Sequence, residues 1–360
     1  MANPYDLWNT RKLLGVFRAT EPAPTYWIGA YQNQILVEDE YIDFEKLPVP
    51  SRKLAAFALP LARGKSVYDD RARTYRVKPA YIKLDDEVDP LKPLRMQPGI
   101  DASMLEGDKM DPMRRTELLK AAIAVAHRRA YDLRLDWMAA KATIDGKITL
   151  TGEDYPTTLV DFGRSADHTI VLGAGERFGD ANVSAFDFFQ EVVDLMSDAE
   201  FGGVPVKATM GGSVWAYLRG DAEFLAHMDK DIRGERITIE RGLTAGKIFK
   251  VGEMLVGGAS GQKIELWVNN EVYIDPETGA STRYLGAKDI VFEAAPEALE
   301  GYRCFGRIID KDARYAAVPI FPKNYTQQVG DITVERVSHK SAPLILPVNP
   351  DATLKATVLG

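Results

Sequence analysis

One cysteine, Cys304, stands in 360 residues, which excludes an intramolecular disulfide framework and any multi-cysteine metal site. Histidine is almost as scarce. His127, His168, His227 and His339 are scattered along the chain, and neither the two-histidine helical spacing of zinc proteases nor a Cys/His ligand pair occurs, so they read as ordinary surface or core residues. No apolar signal region follows Met1, which gives the expectation of a cytosolic chain. There is no excess of positive charge either: the net charge of −7 argues against a general nucleic-acid binder, whose phosphate contacts need a concentrated Lys/Arg surface.

Motifs for catalysis are missing as well. Gly173, Gly175 and Gly179 follow the apolar run Thr169 to Leu172, but their spacing fits neither a dinucleotide fingerprint nor a Walker loop. Asp85, Asp86, Glu87 and Asp89 lack the glycine and the terminal glutamate of a calcium loop and read as a solvated acidic turn. Ser260 is preceded by Ala259, so it does not sit in a nucleophile elbow. No catalytic residue, no cofactor-binding residue and no metal ligand is assigned, and the chain reads as no enzyme.

What is present is material for a large core. Hydrophobic residues make up 46% and charged ones 27%, the balance of a folded protein, and the length favours two domains or one with large excursions. The longest regular pattern runs from Asp111 to Thr143, with Asp111 as a cap, Pro112 in the first turn and no further Pro or Gly until Gly146. Its charges exclude a membrane span. Leu119, Ile123, Ala126, Ala130, Leu133, Trp137 and Ala140 recur at three- and four-residue steps and predict one buried stripe, with Arg114, Glu117, Lys120, Arg128, Asp132 and Asp136 on the solvated face.

Around this helix the pattern is mixed. Tyr5 to Phe17 is a short amphipathic segment. Leu54 to Leu61 is apolar, Asp69, Asp70, Arg71 and Arg73 form a charged tip, and Tyr75, Val77, Pro79 and Tyr81 alternate on the return, so the region reads as a hairpin that needs a surface to lie on. Short strands are predicted at Ile148–Thr151, Thr158–Phe162, Val204–Met210, Lys247–Val251, Lys263–Val268, Val272–Ile274 and Ile290–Phe292, with a turn at Asp275–Gly279. Ser184 caps a helix carrying Phe189, Val192, Val193 and Met196, and Ser213 is read as the cap of a shorter one stopped by Gly220. Strands at Ile332–Val337, Leu344–Leu346 and Leu354–Val358 complete an α+β chain.

Several blocks then fall into a familiar order. Val77, Lys78, Pro79 with Asp89, Pro90; Thr151, Gly152, Glu153; Val160 to Ser165; Tyr302 and Gly306; Pro322 to Tyr325 with Gly330, Asp331; Ser341 to Leu344; and Pro350, Asp351 together resemble the lambda-type major capsid proteins of tailed double-stranded DNA phages. That resemblance implies the Hong Kong 97-type capsid fold: an N-terminal arm (1–50), an extended loop (51–90), a peripheral domain (91–200) built on a spine helix (111–143), an axial domain (201–310) and return strands (311–360). It implies a phage or prophage head protein that self-assembles through hexamers and pentamers into an icosahedral shell around DNA. Scaffold, portal and decoration proteins would be partners, DNA would be contacted without sequence preference, no membrane would be involved, and assembly would take place in the host cytoplasm before the chain becomes part of the virion.

On the same reading Arg63, Lys65, Asp69, Asp70, Arg71 and Arg73 are contact candidates on the extended loop, and Leu119, Ile123, Leu133 and Trp137 form the core face of the spine. Lys65 and Asn324 are chemically able to form an isopeptide bond, but a lambda-type protein is expected to build non-covalent shells. An encapsulin-like nanocompartment, a soluble enzyme without a recognisable motif, and a tail-tube or other virion protein remain alternatives.

Overall fold

The computed structural model describes residues 10–46, 73–89, 112–152, 155–199, 202–228, 247–256, 262–330 and 332–360. Among the described residues six α-helices run in chain order: α1 (Thr10–Ala19), α2 (Pro112–Asp145), α3 (Ala185–Asp198), α4 (Gly212–Leu218), α5 (Ala222–His227) and α6 (Pro296–Leu299). The α+β class is as expected. At 34 residues α2 is about 50 Å long. It ends where a residue with positive φ is needed, at Gly146 (φ 63°), and the Asp111 cap lies outside the described residues.

A six-stranded sheet holds the largest core. Its order is Thr169–Val171, Thr353–Thr357, Asp289–Ala294, Pro205–Met210, Gln262–Asn269 and Ile248–Val256. The first two of these strands come from outside 201–310, one from either side, and α3 covers the sheet with Phe189, Val192 and Met196 buried. Ser184 caps α3 as predicted, its side chain accepting the Asp187 N–H at 3.3 Å. Two three-stranded sheets complete the frame: Asn33–Leu36, Gly301–Phe305 and Pro343–Pro347 in one, Phe321–Val329, Ile332–Ser341 and Ile82–Val88 in the other.

Four local readings change or gain detail. Gly211, not Ser213, stands at the N-cap of α4, and Arg219 rather than Gly220 closes it. Gly211 allows a close backbone approach that a side chain would block, since a Cβ there would lie 2.3 Å from the Gly286 carbonyl oxygen. The acidic run Asp85 to Glu87 is no turn but part of strand Ile82–Val88, since the other two strands of its sheet supply partners, Tyr325 Oη donating to Asp85 at 2.7 Å and Arg336 at 3.3 Å. The returning strand Arg73–Val77 pairs with Ile42–Lys46, while the outbound flank Leu54–Leu61 lies outside the described residues. The glycines at 173–179 lie in a turn where the Gly173 N–H donates to Glu176 and the Gly175 and Arg177 N–H groups both donate to Asp180.

The largest correction concerns the face of α2. The buried positions are Lys120, Ala124, His127, Tyr131, Leu135, Met138 and Ala142, with Asp132, Asp136, Ala139, Thr143 and Ile144 beside them, and of the predicted stripe Ala140 is buried as expected. Leu119, Ile123 and Trp137 are half-buried, Ala126 and Ala130 are exposed, and Leu133 is 42% exposed. The stripe is therefore rotated from the apolar one. Periodicity of apolar residues assigns charged groups to solvent, yet here Lys120, Asp132 and Asp136 have partners on other elements and so can be buried. Met138→Ala should accordingly cost about 2–5 kcal/mol of unfolding free energy, whereas Leu133→Ala should change it by no more than about 0.5 kcal/mol. Chemical denaturation of the two variants checks this, and equal losses would restore the apolar stripe as the core face.

Candidate assembly surface

The surface is built on α2, so what fixes α2 fixes the surface. A segment just before strand Asn33–Leu36 lies along it and is held by buried carboxylates. Asp136 Oδ1 accepts the N–H of Tyr26 at 3.1 Å and of Ile28 at 2.9 Å, and Asp132 Oδ2 accepts the Ala23 N–H at 3.2 Å and the Arg128 Nε–H at 2.8 Å. Burial pushes the Asp136 carboxyl up to about 6, only partly offset by those N–H donors. On the sheet side Tyr26 Oη lies 2.8 Å from Thr209 Oγ1, and Lys207 sits over the Tyr26 ring, 3.8 Å from its centre. Burial alone would depress Lys207, but Glu293, 3.6 Å away, and Tyr26 lift it to about 12. The segment is thus tied to both helix and sheet.

The far end of α2 is closed by an arginine. Arg164 donates to the carbonyls of Thr143 at 3.1 Å and Ile144 at 2.9 Å, where the last turn of a helix carries unpaired acceptors and partial negative charge. Its neighbour Ser165 donates its N–H to Asp351 at 2.6 Å. A second junction joins Pro79 to Gly306, where a Cβ would lie 2.6 Å from the proline ring and 3.5 Å from the Ala342 methyl. Blocks from 77–79, 160–165, 306, 341–344 and 350–351 therefore meet in pairs. They are far apart in the sequence and close in space.

Beside α2 runs an apolar groove of about 630 Å³, lined by Tyr81, Leu133, Trp137, Val272, Ile274 and Tyr284 among others. Ile274 is 73% and Leu133 42% exposed. The hairpin Val272–Ile274 with Ser281–Arg283 forms one wall, and its turn is the expected one, with Gly279 N–H donating to the Asp275 carbonyl at 2.8 Å. Trp137 stacks edge-on to Tyr273 at 6.4 Å, under the Arg134 guanidinium at 4.8 Å. Large apolar side chains left together on a surface mark a contact with another molecule. Of the anticipated contact residues, Arg63, Lys65, Asp69, Asp70 and Arg71 lie outside the described residues, and Arg73 opens the strand that pairs with Ile42–Lys46. Of the four residues assigned to the helix core, Leu119 and Ile123 pack half-buried against Leu13, Val88 and Val337, Trp137 packs half-buried against the main core while lining this groove, and Leu133 lines the groove exposed. Sequence reasoning missed Ile274 and Tyr273: their strand was recognised, but three residues are too few for a periodicity to tell its faces apart.

Among the described residues no group of three or more His, Cys, Asp or Glu is placed to hold a metal ion, and no helix is long and apolar enough to cross a membrane.

Comparison with known proteins identifies the relatives of this arrangement. The family model described as phage major capsid protein E matches residues 10–358. The major capsid protein of Enterobacteria phage P21 is 27% identical over 350 residues, covering 96% of this chain and 97% of that one. The major capsid protein of Escherichia phage lambda is 26% identical over 309 residues, 83% of each. In three dimensions, a crystal structure of an assigned capsid protein of a prophage in Escherichia coli CFT073 superposes with a TM-score of 0.70 at 19% identity, covering 98% of this chain and 99% of that one, which shows the same fold.

The seating of the 23–28 segment yields a test. Because the Asp136 carboxyl is raised from 3.8 to about 6, its contribution to stability is greatest below about pH 4 and is lost as pH rises through about 6. Asp136→Asn keeps an oxygen for the two N–H donors and removes the buried charge, so its melting temperature should exceed that of the wild type at pH 8, with the gap closing toward pH 4. Asp136→Ala should cost about 1–3 kcal/mol at pH 4, since it leaves buried donors without an acceptor, and less at pH 8, where it also removes the buried charge. Identical melting of wild type and Asp136→Asn at pH 8 would contradict the burial of a charged Asp136.

Proposed function

The chain belongs to the phage major capsid protein E family, and we propose that it builds the icosahedral head shell by forming hexamers and pentamers of itself around double-stranded DNA. Its role is structural, not enzymatic, and the family match favours a phage head over a nanocompartment or a tail tube. The observation that carries the assembly reading is the exposed apolar groove along α2, with Leu133 and Ile274 on its rim. A surface of this kind is stable in a neighbour's contact and unfavourable in water.

In this reading α2 is the spine of the peripheral domain, and the six-stranded sheet with its helices is the body of the axial domain. The antiparallel pair Ile42–Lys46 and Arg73–Val77 is the base of the extended loop, which moves that base upstream of residue 51. The loop's apolar run Leu54–Leu61 seats on a neighbouring subunit, and Arg63, Lys65, Asp69, Asp70, Arg71 and Arg73 add exposed ion pairs that salt screens. Many modest interfaces close the shell without any one being very tight, which lets misplaced subunits leave. Scaffold, portal and decoration proteins are its partners in the host cytoplasm, and the subunits stay non-covalently joined.

Deletion of Ser51 to Tyr68, with a short Gly/Ser bridge, leaves both paired strands in place and tests the loop. The expected result is unchanged circular dichroism and melting of the subunit, with closed shells lost in electron micrographs. Ile274→Asp should have the same pattern in milder form. Normal shells from the deletion variant would remove the loop from the interface, and an unfolded subunit would place the loop in its own core.

A further inference from the structure

Two of the four histidines, distant in sequence, meet where α2 crosses the sheet Phe321–Val329, Ile332–Ser341 and Ile82–Val88. His127 and His339 are 4% and 1% exposed, with their Nδ1 atoms 2.8 Å apart and their rings nearly perpendicular. His127 Nε2 lies 2.9 Å from Asp86 Oδ2. On its other side His339 stacks on Phe17 of α1, ring centres 5.2 Å apart, and its Nε2 is buried without a hydrogen-bond partner. Two helices and two strands converge on this pair, and none of its contacts is used by the assembly surface.

The hydrogen bonds fix how protons can be placed. A carboxylate accepts only, so His127 donates from Nε2 to Asp86. A neutral His127 then offers a bare Nδ1, which accepts the Nδ1–H of His339, and the unpartnered His339 Nε2 carries a lone pair against apolar surroundings. One added proton finds a place on His127 Nδ1, because His339 can shift its own proton to Nε2 and accept. A second cannot be placed: both Nδ1 atoms would carry hydrogens at 2.8 Å, and an imidazolium would be buried against Phe17.

We propose that His127 and His339 form an acid-sensitive joint between α2 and this sheet, which holds while at most one of the two rings is cationic and parts when both are. The surrounding charges do not rescue the doubly protonated form. On α2, Lys120 is paired with Glu335, which also accepts from Asn324 Nδ2 at 2.7 Å. Arg128 covers the Phe17 ring at 4.8 Å and pairs with Asp132. On the sheet, Asp85 is taken by Tyr325 and Arg336, and Lys340 by Asp310. That leaves Asp86, whose side chain is 63% exposed and therefore screened by solvent.

The direction of the pH effect follows. Burial first, and His127 second, lower His339 from 6.5 to about 3, so the unfolded chain binds this proton more readily than the folded one. The joint's contribution is full above about pH 6.5 and is lost progressively as pH falls toward about 3, by up to about tenfold in the opening equilibrium per pH unit. Nine residues further along α2, Asp136 titrates with the opposite sign. Acid therefore loosens the helix at the sheet while its hold on the 23–28 segment persists. This inference does not rest on the assembly reading, since it concerns contacts within one subunit.

Hydrogen–deuterium exchange of the full chain at pH 7.5 and 5.0, corrected for intrinsic rates, tests it. In the wild type, peptides within 116–130 and 332–341 should lose about tenfold or more of their protection at pH 5.0, while those covering 23–31 do not. His339→Leu, which keeps an apolar contact with Phe17 and cannot titrate, should show no such difference. Unchanged protection in the wild type, or an equal loss in His339→Leu, would overturn the proposal. Should that variant not fold, exchange at the imidazole C2 position in the wild type decides: a His339 that titrates near 6.5 with protection intact overturns the joint, and one that stays neutral below about pH 5 supports it.

Discussion

A long helix whose inward face carries charge can be buried only if other parts of the chain come to meet each charged group. In α2 that condition is met residue by residue. Lys120 is matched by Glu335, His127 by His339 and Asp86, Asp132 by Arg128 and a backbone amide, and Asp136 by two backbone amides. Most of these matches come from other stretches of the chain, so satisfying the helix fixes where those stretches lie. The 23–28 segment, the sheet containing Ile332–Ser341 and the loop after Asp161 all take their positions from this requirement, and even the helix terminus is completed by Arg164. Packing against apolar side chains supplies most of the free energy. The polar matches select one arrangement among those the apolar surface would allow.

The division of faces on α2 has a counterpart outside. Turning charged residues inward leaves Leu133 exposed at the groove with Ile274, while Trp137 reaches both the core and the groove beside Tyr273. A subunit that spent its apolar residues wholly on its own core would have nothing of this kind to offer a neighbour. Here the helix divides them, with Met138, Leu135 and Ala139 inside and a second apolar row outside. Under the proposed assembly, such a row is what a copy of the same chain would cover.

Much of this was legible in the residues, because the signals involved are local. The start of α2 at Pro112 and its stop at Gly146, the cap at Ser184, the strands around Pro205 to Met210, Val272 to Ile274 and Leu344 to Leu346, and the turn at Asp275 all depend on neighbours within a few positions. The face of α2 did not follow, since it depends on partners as far away as residue 339, and no periodicity reveals that a lysine or a histidine will be met by its complement. Nor did the strand Ile82–Val88 follow, where Asp85, Asp86 and Glu87 mimic a solvated turn until Tyr325 and Arg336 are brought alongside. The ordered blocks succeeded for a related reason. Ser165, next to Arg164, meets Asp351, and Pro79 meets Gly306, so these blocks are places where distant segments touch.

The six-stranded sheet places Thr353–Thr357 between Thr169–Val171 and Asp289–Ala294, with Lys355 reaching Asp145 at the end of α2. Both edges of that strand are therefore awaited by segments translated long before it. A ribosome delivers residues in order, and contacts between distant segments form slowly because long loops must close first. Until residue 353 emerges, strand Asp289–Ala294 lacks one partner and Thr169–Val171 lacks its neighbour. The sheet is thus complete only once residues 353–357 have been made, and a chain that has not reached them lacks the six-stranded body on which the rest is laid.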